Sequence, residues 1–230
     1  MDIIGIKNPG LLTVKDEDGN LATGGDQHWY PNEGFIPPGA CGATAASNVL
    51  AYLLRSRPPL FAIAGKNGLD GLSAPGENGA ANAKTGYIGF MKKVYRFLFP
   101  RIGGLMTDHF IEGIGGLAEE YMLPVSAECL RVPIAWSVRP SFAETAAFIR
   151  SSLAADAPLA FLILSGGGVA KLDTWHWVTV LALDEDAKSV QILDNTETFW
   201  ADIGVWLGTS IMGGAFVRLK EAGSPALPGQ

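Results

Sequence analysis

Cys41 stands in Gly39-Ala-Cys-Gly42, at the start of a predicted helix over Cys41 to Arg55. The free amides and the dipole of a helix start stabilise a thiolate, and small neighbours leave the sulfur reachable. The alternative is a small buried hydrophobe. His176 lies 135 residues later between Trp175 and Trp177, on a predicted strand, so the two indoles are expected on one face and the imidazole on the other. A Cys at a helix start followed by a distant His is an arrangement for nucleophilic catalysis. Leu193-Asp-Asn195 follows 18 residues after His176. A neighbouring antiparallel strand would bring Asp194 or Asn195 beside His176 Nδ1, where either fixes the tautomer and the acid stabilises imidazolium. Otherwise the two residues merely form the turn after the strand. An oxyanion needs donors as well, and the Cys41 amide with Gln27, in Gly24-Gly-Asp-Gln-His-Trp29, is the candidate set. Gln27 reads equally as an ordinary polar loop residue.

Other chemistry is weaker. His28 adjoins Gln27, but the base is expected on the sheet. His109 falls at a helix N-terminus, where a cation is disfavoured. Cys129 reads as core. No Gly-Lys-Ser/Thr follows Gly166-Gly-Gly168, so that run is no phosphate loop. Metal-ligand spacing is missing, and no cofactor is implied. The tryptophans read as core by default, with Trp175 or Trp177 as a wall of a substrate groove the sharper alternative.

The elements that must position these residues are legible in part. Pro37-Pro38-Gly39 precedes the Cys41 helix and Pro58-Pro59 closes it, with Ala45, Val49, Tyr52 and Leu53 on one face. Further helices are predicted at about Thr85 to Phe99 (stopped by Pro100) and Asp108 to Met122. Another runs from Phe142 to Ala154, with Ser141 and Glu144 as a capping box. Strands are predicted at Ala157 to Leu164, Trp175 to Leu183, Ser189 to Leu193 and Ala215 to Leu219, with Asp184-Glu-Asp186 as a hairpin turn. Helices first and antiparallel strands later argue an α+β fold with segregated layers. The glycine-rich stretches Gly19 to Gly39 and Gly65 to Gly86 read as long loops, the second as a lid over the groove.

Composition sets outer limits. The chain has 230 residues, 48% of them hydrophobic, only 17% charged, and a net charge of −6. That excludes a disordered chain. With Lys92-Lys93 its densest basic spot, a nucleic-acid partner is not expected. The longest apolar run, Ala157 to Leu164, falls far short of the roughly 18 residues a membrane span needs. Met1 to Thr13 carries no export pattern, and two distant cysteines make no disulfide framework, so a cytoplasmic setting is expected.

Taken together, these segments resemble the papain-like superfamily of cysteine peptidases. Within it the chain is most similar to the double-glycine (bacteriocin-leader) peptidase group and its uncharacterised bacterial relatives. The matching segments are Gln27-His-Trp29, PGACGATAASNVLAYL (Pro38 to Leu53) and WHWVTVLALD (Trp175 to Asp184) running to ILDN (Ile192 to Asn195). Gly89 to Tyr95 and Pro158 to Leu164 are similar as well. The likeness covers roughly Gly24 to Leu219, and its specific parts are the Cys and His segments. It implies Cys41 as nucleophile, His176 as base, Asp194 as orienting acid and Gln27 as oxyanion donor. The spacing departs from the family: where its Gln stands closer to the Cys, this chain has Phe35.

The expectation is a single papain-like α+β domain over residues 1–220 and a flexible tail over 221–230. The nucleophile would start a central helix packed on a C-terminal antiparallel sheet. The expected activity is a cysteine peptidase or amidase acting on a peptide or small amide through a thioester. An acyltransferase or transglutaminase-like enzyme with the same triad, and an inactive binding module on the same fold, remain open alternatives.

Overall fold

The computed structural model describes residues 3–30, 37–75, 81–99 and 104–221. Phe35, Pro100 and the expected tail beyond Glu221 lie outside them. The longest helix, Ala40–Ser56, is buried on every side, with each residue from Gly42 to Arg55 shielded from solvent. A helix buried all round belongs in the middle of a fold. Its start is set by Gly39, which takes the left-handed conformation (φ 73°) and offers no capping side chain. Its end is set by Arg57, held extended ahead of Pro58 because the proline ring disfavours helical backbone before it.

In chain order, β1 (Ile3–Gly5), β2 (Thr13–Lys15) and β3 (Leu21–Thr23) precede this helix, α1. There follow α2 (Pro58–Lys66), β4 (Asn82–Ala83), α3 (Lys84–Phe97), α4 (Thr107–Glu120), β5 (Val125–Val132) and α5 (Phe142–Ala154). The chain closes with β6 (Leu159–Ile163), β7 (His176–Asp184), β8 (Ser189–Asp194), β9 (Glu197–Asp202), α6 (Ile203–Thr209) and β10 (Gly214–Glu221). The main sheet is antiparallel in the order β5-β10-β6-β7-β8-β9, and β1 pairs with the far end of β7. A small second sheet runs β3-β2-β4.

The fold is thus mixed α+β with a large antiparallel sheet, as expected, but the helices are not confined to one side. Thr179 of β7 bonds Asn48 of α1, whereas the preceding Val178 pairs with Phe161 on the opposite face. There Phe161 stacks on Phe216 (centroids 4.3 Å apart) and meets Trp206 of α6 edge-on. The sheet therefore carries α1 on one face and α6 on the other. The mostly helices-then-strands order also has exceptions. β1 joins the main sheet from the N-terminal end of the chain and β5 from before α5, and β5 forms its edge beside β10.

The glycine-rich segment expected as a lid is anchored elsewhere. Ser73 O accepts from Arg55 Nε (3.0 Å), Ser73 N–H donates to Asn82 Oδ1 (3.1 Å), and β4 pairs with β2. Arg55 lies fourteen residues along α1 from Cys41, or about 21 Å at the helical rise. These described parts close the far end of α1, not its catalytic-looking start.

The capping box at α5 is complete. Ser141 Oγ accepts from the Glu144 amide (3.2 Å), and Glu144 returns a carboxylate oxygen to the Ser141 amide (2.7 Å). Ser141→Ala should lower the urea-unfolding free energy by about 1 kcal/mol, with an unchanged m-value. An unaltered midpoint would mean the cap contributes nothing.

Candidate functional site

Cys41 is the second residue of α1, where the backbone amides have no partner within the helix. Its first turn is fixed by close packing. A Cβ on Gly42 would collide with Leu105 and stand 3.1 Å from Trp177 Cδ1. Trp177 donates its indole N–H to Leu105 O (2.8 Å) and stacks on Phe110 at 4.4 Å. This indole is core. It fits Leu105 against the helix start and thereby sets how closely β7 approaches Cys41.

His176 is the first residue of β7, and Asp194 the last of β8. Thr179 pairs with Leu193 across the ladder, so His176 and Asp194 stand diagonally over the same two strands, within side-chain reach. Asp194 Oδ1 lies 2.8 Å from His176 Nε2. The sequence reading put the acid beside Nδ1; the structure puts it at Nε2, because the diagonal offset brings the carboxylate to the distal end of the ring. Nδ1 is left for Cys41, which lines the same cleft and raises the ring's proton affinity. Cys41, His176 and Asp194 line one cleft together with Thr44, Asn48, Thr179, Leu193 and Asn195.

The imidazole is buried, and burial alone lowers its proton affinity. Hydrogen bonds to Asp194 and Cys41, and the charges of both, more than reverse this, and the His176 pKa is pushed up to about 10. At neutral pH the ring is therefore held as imidazolium between Asp194 and Cys41.

The structure separates Asp194 from Asn195. Asn195 sits in the turn after β8 with φ 43°, and its Oδ1 accepts from the Gln27 amide (3.2 Å). Gln27 opens a single 3-10 turn, Gln27–Trp29, that packs against α1; its backbone is thus tied to the turn that follows the acid. Gln27 itself does not line the cleft. His28 is exposed and turned to Asp26, its Nδ1 lying 2.6 Å from that carboxylate. His109 is in the first turn of α4, and Cys129 is a free, half-buried thiol on β5. Trp175 lies outside β7 with φ 61° and is 53% exposed, so strand alternation does not govern it.

One cleft residue escaped the sequence reading. Asn48 is buried in α1 and bonds to a loop, a helix and a strand at once. Its only sequence signal is an amide among Ala, Val and Leu, two helical turns after Cys41. Among the described residues, no cluster of His, Cys, Asp or Glu is arranged to hold a metal ion. Among them also, no helix is long and apolar enough to cross a membrane. No protein-family model matches the chain, and no curated protein matches it.

The raised proton affinity of His176 predicts a pH signature. The folded chain holds this proton more tightly than the unfolded one, whose value is near 6.5. The stabilisation is complete below about pH 6.5 and is lost as pH rises through about 10. Urea unfolding across that window should show wild type losing stability relative to His176→Gln. Parallel curves would mean that the ring is not held as imidazolium.

Proposed function

We propose that the protein is a thiol hydrolase that cleaves a peptide or small amide bond through a Cys41 thioester. The observation that carries this reading is the convergence of Cys41, His176 and Asp194 on one cleft, with the Asp194 carboxylate 2.8 Å from the His176 ring. The order of parts along the chain, with the nucleophile opening a central helix and base and acid on adjacent strands, supports a papain-like arrangement.

In this reading the Cys41 thiolate attacks the amide carbon while His176 holds the displaced thiol proton. The carbonyl oxygen becomes an oxyanion, stabilised by the Cys41 backbone N–H; Gln27, outside the cleft lining but bonded through its amide to Asn195 of that lining, is the second donor in this reading. His176 then passes its proton to the leaving nitrogen; the C–N bond breaks, an amine departs and a thioester remains. Water attacks the thioester as His176 takes one of its protons. The carboxylic acid leaves, and the thiolate–imidazolium pair is restored. Asp194 keeps the ring aligned throughout.

Alkylation by iodoacetamide at pH 6, followed by peptide mass spectrometry, tests the pair directly. Cys41 should label well ahead of Cys129. His176→Ala should slow Cys41 labelling by about tenfold or more, in line with the low end of base catalysis. Labelling of Cys41 at the wild-type rate in that variant would remove the dyad and the hydrolase reading with it. For chemistry, p-nitrophenyl acetate should release one nitrophenolate per chain in a burst that Cys41→Ser abolishes.

A further inference from the structure

We propose that Asn48 is a positioning residue for the oxyanion side of the site. Its amide clamps the Gly24–Gly25 loop, and through it Gln27, to the helix that carries Cys41. The inference rests on the thiol-hydrolase reading and concerns a residue that the reaction itself does not use.

Asn48 is 2% exposed and shares the cleft with Cys41 and His176. Its Oδ1 accepts from the Gly25 amide (2.8 Å) and from the Tyr87 hydroxyl (2.9 Å), and its Nδ2 donates to Thr179 Oγ1 (3.2 Å). Three separate elements therefore converge on one amide: the loop leading to Gln27, helix α3, and the strand that begins at His176. Packing α1 on the sheet does not require this. A side chain of similar volume without polar atoms would fill the space without the cost of burying an amide. The bonds instead fix a distance between a loop and a strand that share no ladder.

The loop is shaped to receive the clamp. Gly24 has φ 65°, and a Cβ there would stand 2.7 Å from Leu193 Cδ2 and 2.8 Å from Asn48 Oδ1. No other residue allows the backbone so close to Asn48. The Gly24 amide is pinned to Leu12 O (2.7 Å), Gly25 to Asn48, and Gln27 to Asn195. Gln27 is thus held from both ends, once through α1 and once through the turn that follows Asp194. The seventeen-residue helix accordingly carries the nucleophile at its start and, two turns on, the anchor of the oxyanion donor.

Two reactions at the same sulfur separate this role from a merely structural one. Acylation by p-nitrophenyl acetate passes through a tetrahedral oxyanion, whereas alkylation by iodoacetamide is a displacement at carbon that forms none. Asn48→Ala should lower the ester acylation rate by about tenfold or more, toward the effect of losing an oxyanion donor, with alkylation unchanged. Asn48→Asp keeps both acceptor bonds and should restore the ratio of the two rates. Gly24→Ala, which forces the loop and the Asn48 amide apart while keeping that amide, should reproduce the selective loss, and it gives the answer if Asn48→Ala does not fold. Loss of both rates together, or of neither, in folded variants overturns the proposal. Wild-type protein that alkylates in a His176-dependent way but is not acylated also overturns it, while leaving the dyad standing. Wild-type alkylation that ignores His176 removes the underlying hydrolase reading instead.

Discussion

The contact on which the rest of the molecule depends is a charge pair under partial burial. An imidazolium removed from water is costly unless charges and hydrogen bonds replace the lost solvent. His176 receives both, from Asp194 on one nitrogen and Cys41 on the other side of the ring. Each partner comes from a different element, so the pair exists only if α1, β7 and β8 meet at one corner. The sheet order delivers this: β7 is central, β8 is its immediate neighbour, and α1 lies across β7 and β6. Trp177, next in sequence to the base, closes the corner from the core side through Leu105 and Gly42.

A second consequence follows for the polar groups buried nearby. In an apolar core with a charged pair at its rim, most buried polar side chains are bonded; Thr44 Oγ1, in the cleft itself, is an exception among the described residues. Asn48 and Thr179 satisfy one another and Tyr87. At the far end of α1, Arg55 binds Leu11 O and Ser73 O, and burial lowers its proton affinity. The same helix is therefore polar at both ends, for different reasons. Its Cys41 end presents chemistry, and its Arg55 end gathers the irregular segment around Ser73 and Asn82 into the body of the protein.

What the sequence disclosed follows from which interactions are local. Helices bounded by Pro, Gly or a capping box were legible within a residue or two, because their limits are set by neighbours in the chain; α1 and α5 are the clear cases. The apolar strands β6 and β7 were legible for the same reason. The polar edge strand β9 was not, since Glu197–Asp202 becomes a strand only by pairing with β8. Nor was α2, because Pro58-Pro59 was read as the stop of α1 when it also occupies the first turn of the next helix, where proline fits. In the site, Cys41, His176 and Asp194 were singled out from the sequence and share one cleft, whereas Gln27, singled out with them, does not line it. The ring nitrogen facing Asp194, the use of Asn195 on Gln27 and the triple bonding of Asn48 were not legible. Each of these depends on strand register or on contacts between residues distant in sequence.

The backbone around the pair shows how the position is enforced. Trp175, immediately before His176, has φ 61°, and Asn195 and Thr196, immediately after Asp194, have φ 43° and 71°. Left-handed backbone costs a bulky or β-branched residue of the order of 1 kcal/mol or more, and it persists only where surrounding structure over-determines it. Here β7 and β8 are locked by ladders on both sides, with β6 pairing up to His176 and β9 pairing up to Asp194. Both strands are therefore paired as far as the reactive residue, β7 with one irregularity between Val180 and Ala182, and turn sharply one position beyond it. The turn removes the next residues from the sheet end and leaves the imidazole and carboxylate at its rim, where a helix start can reach them. The left-handed positions lie outside the pair, in Trp175 and the Asn195–Thr196 turn, while His176 and Asp194 themselves belong to the strands.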